Sequence, residues 1–147
     1  MTRLIYIFNL DGTLALTDHR QHILDNRRDQ RRWHKYFAAS VKDRPNEPVI
    51  RTMEHLRQCC DVRIWSGCSE EVRPQTIQCL VDHTLVQAHD VDLVLRMRGI
   101  NDFRLVNLLK TAWLEDVSLH DRRRQGTVLD DRNKVAEAWG RHGIDCF

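Results

Sequence analysis

The 147 residues predict an α/β fold built on a mainly parallel sheet. Short apolar runs of strand length occur at Leu4–Phe8, Val62–Trp65, Val91–Leu95 and Gly126–Leu129, and stretches with apolar residues at helical spacing lie between them. The first run, Leu4-Ile5-Tyr6-Ile7-Phe8, has the continuous apolar character of a strand buried on both faces, as in a parallel sheet. Polar residues gather where the runs end, and in open α/β sheets ligands bind beyond the carboxyl ends of the strands.

The first strand ends in Asn9-Leu10-Asp11-Gly12-Thr13. Asn9 and Asp11 alternate with Leu10 and leave the strand on one side, while Gly12 allows a sharp turn and a close approach of backbone to a bound group. From Ala15 to about Pro48 the texture changes. Arg20, Arg27, Arg28, Arg31, Arg32 and Lys35 stand against Asp18, Asp25 and Asp29, and Trp33, Tyr36 and Phe37 close the segment. Such a stretch can cover a phosphate site, guanidinium groups pairing with phosphate oxygens and a ring stacking on a base. Arg20, His22 and Trp33 are its candidate substrate contacts. Trp33 and Phe37, at i and i+4, equally suit pinning a solvated helix to the core. His19 and His22 have no partners at a structural-zinc spacing.

Pro45 and Pro48 mark the return to the core, where Val49, Met53, Leu56 and Cys60 repeat at helical spacing. Val62-Arg63-Ile64-Trp65 reads as a second strand ending in Ser66-Gly67, and Ser69-Glu70-Glu71 then offers a hydroxyl cap and acids for a helical first turn. Strand, small polar turn and helix together make an anion cradle. Cys68 and Arg73 are one residue short of the Cys-x5-Arg loop of thiolate phosphatases, so Cys68 is read as a bystander. After the third run and Arg96-Met97-Arg98-Gly99, a helix is predicted over 101–113 with Leu105, Leu108, Leu109 and Ala112 on its apolar face and Lys110 off it. Arg122-Arg123-Arg124 reads as an exposed loop. The strand that follows ends in Asp130-Asp131-Arg132, and adjacent buried acids repel unless a cation or basic partner sits among them. A helix with Val135, Ala136 and Trp139, stopped by Gly143, and a short strand Ile144–Phe147 close the chain.

The length suits a single domain over 1–147 with a small basic helical cap at about 15–48. A net charge of +2 and a pI of about 8.4 are too mild to argue for nucleic acid on their own. Five cysteines, at 59, 60, 68, 79 and 146, show no C-x-x-C spacing and are odd in number, which points to reduced thiols and a cytoplasmic setting. No apolar run approaches 18 residues, so no membrane partner is expected.

Phe8-Asn9-Leu10-Asp11-Gly12-Thr13-Leu14 resembles the first motif of the haloacid dehalogenase superfamily of phosphatases, with Asn9 where that family has Asp. Ser66-Gly67 resembles its second motif, Lys110 its third and Asp130-Asp131 its fourth, in the family's order; Val106 stands where a subgroup carries an Asp four residues before the lysine. Ile64-Trp65-Ser66-Gly67, the Asp102 to Lys110 stretch and Asp130-Asp131-Arg132 with Trp139 bring the chain nearest to phage-type members and to the phosphatase domain of polynucleotide kinase-phosphatases. The resemblance implies a Rossmann-like three-layer core with a mainly parallel sheet, a small cap inserted after the first strand, and a Mg2+-dependent phosphomonoesterase for nucleotides, specifically nucleoside monophosphates, working through an aspartyl-phosphate. It implies Asn9, Asp11, Ser66 and Lys110 as catalytic positions, with Gly12, Thr13 and Gly67 as substrate contacts. Asn9, Asp11, Asp130 and Asp131 would hold Mg2+, with Asp131 in the inner sphere. An amide is neutral and its oxygen a poor nucleophile, so the chain is expected to trap substrate and not turn it over.

Three other readings share these features: a polynucleotide 3′-phosphatase acting on a phosphorylated nucleic-acid end, a non-catalytic nucleotide-binding relative, and a nucleic-acid module using Arg27–Lys35 and Arg122–Arg124. The last predicts steep salt dependence, because neutralised phosphates release counterions.

Overall fold

The structure, a computed structural model, describes residues 2–147. The elements in order are β1 (Ile5–Asn9), β2 (Ala15–Leu16), α1 (His22–Asp25), α2 (Arg32–Ala38), β3 (Arg44–Pro45), α3 (Glu47–Arg57), β4 (Asp61–Ser69), α4 (Arg73–His83), α5 (Ala88–Val94), β5 (Leu95–Arg98), α6 (Val106–Asp116), α7 (Leu119–Arg123), β6 (Gln125–Leu129) and α8 (Asn133–Arg141). Four strands form one parallel sheet in the order β5-β4-β1-β6. β1 is central, with Asn9 opposite Trp65 of β4 and Phe8 opposite Leu129 of β6.

The alternation of β1 builds two cores. Ile5 and Ile7 join Trp65, Val128 and residues of α6 and α8, whereas Phe8 joins Val62, Ile64 and residues of α3, α4 and α5. The result is the helix–sheet–helix sandwich that the apolar character of β1 predicts, each fully buried aliphatic or aromatic side chain contributing about 1.5–3 kcal/mol. In the α6/α8 core, Trp65 meets Trp113 edge-on at 5.6 Å and Trp139 at a tilt, also 5.6 Å.

Between β1 and α3 the chain makes an excursion whose ends pair as the β2/β3 antiparallel ribbon. Tyr36 and Phe37 of α2 are buried in the same core as Phe8, and Trp33 packs on Phe37 with ring centroids 5.8 Å apart. The aromatic edge therefore holds this segment down onto the sheet, as the i, i+4 spacing allows.

Several local expectations change. Val91–Val94 ends a helix, and the strand runs from Leu95 to Arg98, so only the last residue of the third apolar run is in the sheet. β4 does not stop at Trp65 but continues to Ser69, whose Oγ accepts the Glu71 N–H as the predicted cap. α6 begins at Val106, five residues later than predicted, and its buried side is Leu109, Lys110, Trp113 and Leu114, while Leu105 and Leu108 face solvent. Arg122–Arg124 is not a free loop: Arg122 donates to the Leu114 carbonyl, and Arg124 pairs with Asp61 and Asp121. Gly143, at φ 73°, does terminate α8, but Ile144–Phe147 makes a single bridge, from Cys146 to Val128, and no full strand. Among the described residues no helix is long and apolar enough to cross a membrane.

Candidate active site

Because β1 lies between β4 and β6, the carboxyl ends of the three strands place Asn9, Ser66 and the Asp130-Asp131 pair together, and α6 reaches the same point from one face. Asn9 Oδ1 accepts a hydrogen bond of 2.7 Å from Lys110 Nζ, which also donates to Asp130 Oδ2 at 2.5 Å. Lys110 is only 3% exposed. Burial pulls its ammonium below the ordinary lysine value, and the Asp130 charge opposes that only in part. These two partners explain why a lysine sits on the inward face of α6.

The other end of the Asn9 amide faces oxygens. Nδ2 donates to the Asp11 carbonyl at 2.6 Å and to Asp131 Oδ1 at 2.9 Å, and the Thr13 hydroxyl donates to the same Asp131 oxygen at 3.0 Å. Asp131 lies directly against Gly12. Gly12 has φ 88°, and a Cβ there would come within 2.2 Å of Asp131 Oδ2, so the turn admits glycine on both backbone and spatial grounds.

Asp11 is enclosed by donors. Arg20 Nη2 (2.9 Å) and the Cys68 thiol (3.2 Å) donate to Oδ1, and the Ser66 hydroxyl (2.7 Å) donates to Oδ2. Burial by itself would raise this carboxyl, but the Arg20 charge and the hydrogen bonds outweigh it and hold Asp11 below the usual carboxylate range. Arg20 has no exposed surface; it also grips Asp43 at 2.9 and 2.7 Å and lies 4.2 Å over the Tyr36 ring. Arg20 is therefore a buried clamp between Asp11 and Asp43 and not a lid side chain facing substrate. His22 is exposed and lines no part of the site, and Arg27, Arg28, Arg31, Arg32 and Lys35 also stay outside it. Ser66 spends its proton on Asp11, and its oxygen accepts the Cys68 N–H at 3.0 Å.

A cavity of about 430 Å³ opens onto Asn9 and Asp11. Trp33, Gly67 and Cys68 line it, as expected for the first two and not for the third: Cys68, read as a bystander, is in contact with Asp11, where burial pushes its thiol well up. The cationic lining comes from Arg98, Arg104, Arg132 and Lys134. Arg98 is 6% exposed, and its guanidinium is held by the carbonyls of Gly67 (2.7 Å), Asp102 (3.0 Å) and Arg104 (2.6 Å), with no carboxylate partner among the described residues. The Asp102 carboxylate offsets part of this charge from a distance, but it is ion-paired to Arg104 and makes no direct contact with the Arg98 guanidinium, so a buried cation held by neutral oxygens still suits an incoming anion. Arg98 ends β5 and Arg132 follows β6, so the strand-end rule that singled out Asn9 and Ser66 applies to them as well.

The family described as polynucleotide kinase PNKP phosphatase domain matches residues 4–147. The chain belongs to that family, within the haloacid dehalogenase superfamily. Among solved structures it is similar to a chain of the "Structure of Pnkp1/Rnl/Hen1 complex", with 28% identity and a TM-score of 0.70 over 100% of its own length. It spans 46% of that chain. No curated protein sequence matches it. Membership accounts for the helix–sheet–helix sandwich with its mainly parallel sheet.

Phosphatases of this superfamily generally use Mg2+, and the residues around Asn9 are the ones that would hold such an ion. A hard divalent cation takes oxygen ligands, several of them charged. The Asp11 carbonyl and Asp131 Oδ1 do converge on one point, but that point is filled by Asn9 Nδ2, a donor, and Asp130 is turned away to Lys110. Among the described residues no three His, Cys, Asp or Glu side chains gather as a metal-binding group. As it stands the donor set fits an N–H group and not a cation; a carboxylate at position 9 would reverse this.

Proposed function

We propose that this domain binds the phosphorylated end of a nucleic acid, and that with Asn9 in the nucleophile position it holds the phosphomonoester without hydrolysing it. The observation that carries the reading is Arg98, a buried guanidinium without a carboxylate partner that lines the cavity beside Asn9. Arg132 and Lys134 add positive charge on the α8 side, and Trp33 and Phe103 supply ring faces at the same cavity for a terminal base. Membership of the PNKP phosphatase-domain family favours a nucleic-acid end over a free nucleoside monophosphate.

In the Asn9→Asp form the chemistry of the superfamily becomes available. The carboxylate attacks phosphorus in line, Lys110 holds its reacting oxygen, and Arg98 and Arg132 bind the phosphate oxygens as negative charge shifts onto them. The ester P–O bond breaks as the new bond forms, the leaving sugar oxygen takes up a proton, and water then cleaves the aspartyl-phosphate, with Asp11, held ionised by Arg20 and Ser66, placed to accept that water's proton. A divalent cation between Asp131, the Asp11 carbonyl and the restored carboxylate would offset their mutual repulsion. With the amide in place the first step fails, because the amide oxygen does not displace the leaving group.

The experiment compares the chain and its Asn9→Asp variant on a 3′-phosphorylated oligonucleotide, its 5′-phosphorylated counterpart and a nucleoside 3′-monophosphate, with Mg2+ and with chelator. We expect no turnover by the chain, and Mg2+-dependent phosphate release by the variant, fastest on the 3′-phosphorylated strand. Loss of a catalytic nucleophile spans several powers of ten, each about 1.4 kcal/mol of barrier. A variant silent on every phosphomonoester refutes the proposal that position 9 is what holds this site inactive, and a preference for the mononucleotide refutes the nucleic-acid end.

A further inference from the structure

Asn9 stands where two negative or partially negative oxygens need a positive partner. Its Nδ2 carries two hydrogens, and the Asp11 carbonyl at 2.6 Å and Asp131 Oδ1 at 2.9 Å take them. The orientation of the amide is forced. Turning it over would set its NH2 against the Lys110 ammonium at 2.7 Å and its oxygen against two acceptors, and each buried mispaired group costs about 1–3 kcal/mol. Lys110 is in turn fixed by Asp130. The amide therefore presents N–H groups to the point on which the Asp11 and Asp131 oxygens converge.

The charges around the site agree with this arrangement. Asp11, Asp43, Asp130 and Asp131 are the carboxylates, and Arg20, Lys110, Arg98, Arg132 and Lys134 the cations; Arg104 is cancelled by Asp102 at 2.7 Å. The site is left with a positive excess that lines the cavity. A carboxylate at position 9 would remove that excess and put three oxygens with no hydrogen between them within hydrogen-bond distance.

From this we infer that Asn9 replaces a divalent cation as well as a nucleophile: its amide hydrogens do the electrostatic work of the ion, and the chain binds a phosphorylated nucleic-acid end without metal. The inference rests on the functional reading above for the identity of the ligand, but not for the behaviour of the amide. It makes the domain a metal-independent receptor for a phosphate dianion, with Arg98, Arg132 and Lys134 supplying the charge.

Two measurements test it. In the first, the chain and Asn9→Asp are melted in EDTA and in Mg2+ with no ligand. The chain melts at the same temperature in both, whereas the variant is destabilised in EDTA and recovers in Mg2+; outright unfolding of the variant in EDTA, reversed by Mg2+, is the same result in stronger form. Equal responses of the two proteins to Mg2+ overturn the inference. In the second, a fluorescent oligonucleotide with a 3′-phosphate is titrated against its 3′-hydroxyl twin in the same buffers. The chain prefers the phosphorylated strand with an affinity unchanged by EDTA, and the variant weakens in EDTA by about tenfold or more, from repulsion between the carboxylate and the dianion. A loss of about tenfold by the chain itself in EDTA overturns the inference. If the chain shows no preference for the 3′-phosphate in either buffer, the functional reading and the receptor role fail together, and the melting experiment still decides whether the amide substitutes for the cation.

Discussion

Replacing Arg20 by Met keeps the stem over the Tyr36 ring and removes the guanidinium that joins Asp11 to Asp43. The side chains of Asp11 and Asp43 are 7% and 6% exposed, so neither regains full hydration when the cation is lost. Removing one partner of a buried ion pair costs about 3–5 kcal/mol. In a domain of this size each kcal/mol lowers Tm by about 2–4 °C, so the variant is expected to melt roughly 6–20 °C lower. The pH dependence carries the sign. In the chain itself Asp11 lies below its unfolded value, so its contribution is present above pH of about 4 and is lost as pH falls further. In the variant the Arg20 charge is gone and burial raises the same carboxyl, so protonation relieves it and the stability gap narrows as pH falls from 7 toward 4. Urea denaturation at pH 7, 6 and 5 measures the gap. A loss below about 1 kcal/mol, or a gap that stays constant across this range, would show that Arg20 is not the clamp.

Other outcomes follow from the same contacts. Gly12→Ala forces a Cβ into Asp131 and a residue to φ 88°, and should cost about 1–3 kcal/mol while weakening binding of a 3′-phosphorylated oligonucleotide; unchanged melting and binding would contradict the fit at the turn. Lys110→Met strands a buried Asp130 and should destabilise by about 3–5 kcal/mol, with Asp130→Asn in the same chain restoring most of it; additive losses in the double-mutant cycle would deny the pair. The Cys68 thiol is pushed up by burial and by Asp11, so it stabilises the fold below pH of about 8.5 and the benefit declines above, where only the unfolded chain ionises. Cys68→Ala should therefore flatten the alkaline loss of stability by up to about 1.4 kcal/mol per pH unit, checked by denaturation from pH 8 to 10.

Much of the fold was legible because a strand buried on both faces must be apolar throughout. Leu4–Phe8 and Val62–Trp65 announce β1 and β4 in that way, and the polar residues at their ends stand out against the pattern. Asn9, Asp11, Ser66 and Asp131 could be picked out by that contrast, and the structure brings them within hydrogen-bond reach of one another or of a shared partner. Lys110 was legible as a site residue only through the family resemblance and not from its helical spacing, and Arg20 was legible as a position but not as the clamp it forms. A helical pattern assigns a lysine to solvent and a basic segment to a lid, since periodicity carries no information about partners that lie on other elements. Whether Lys110 turns inward depends on Asp130, and whether Arg20 is buried depends on Asp11 and Asp43, groups that the sequence disperses and the sheet order β5-β4-β1-β6 gathers. Arg98 shows the same division. Sequence alone placed it after an apolar run; only the folded chain surrounds it with three carbonyls and no carboxylate, because burial and the absence of a counter-charge are properties of what packs around a residue. The amino acids by themselves determined β1, β4 and β6, the polar residues at their ends and the amide at position 9, while tertiary structure decided where β5 begins, which charges cancel and which is left without a paired carboxylate.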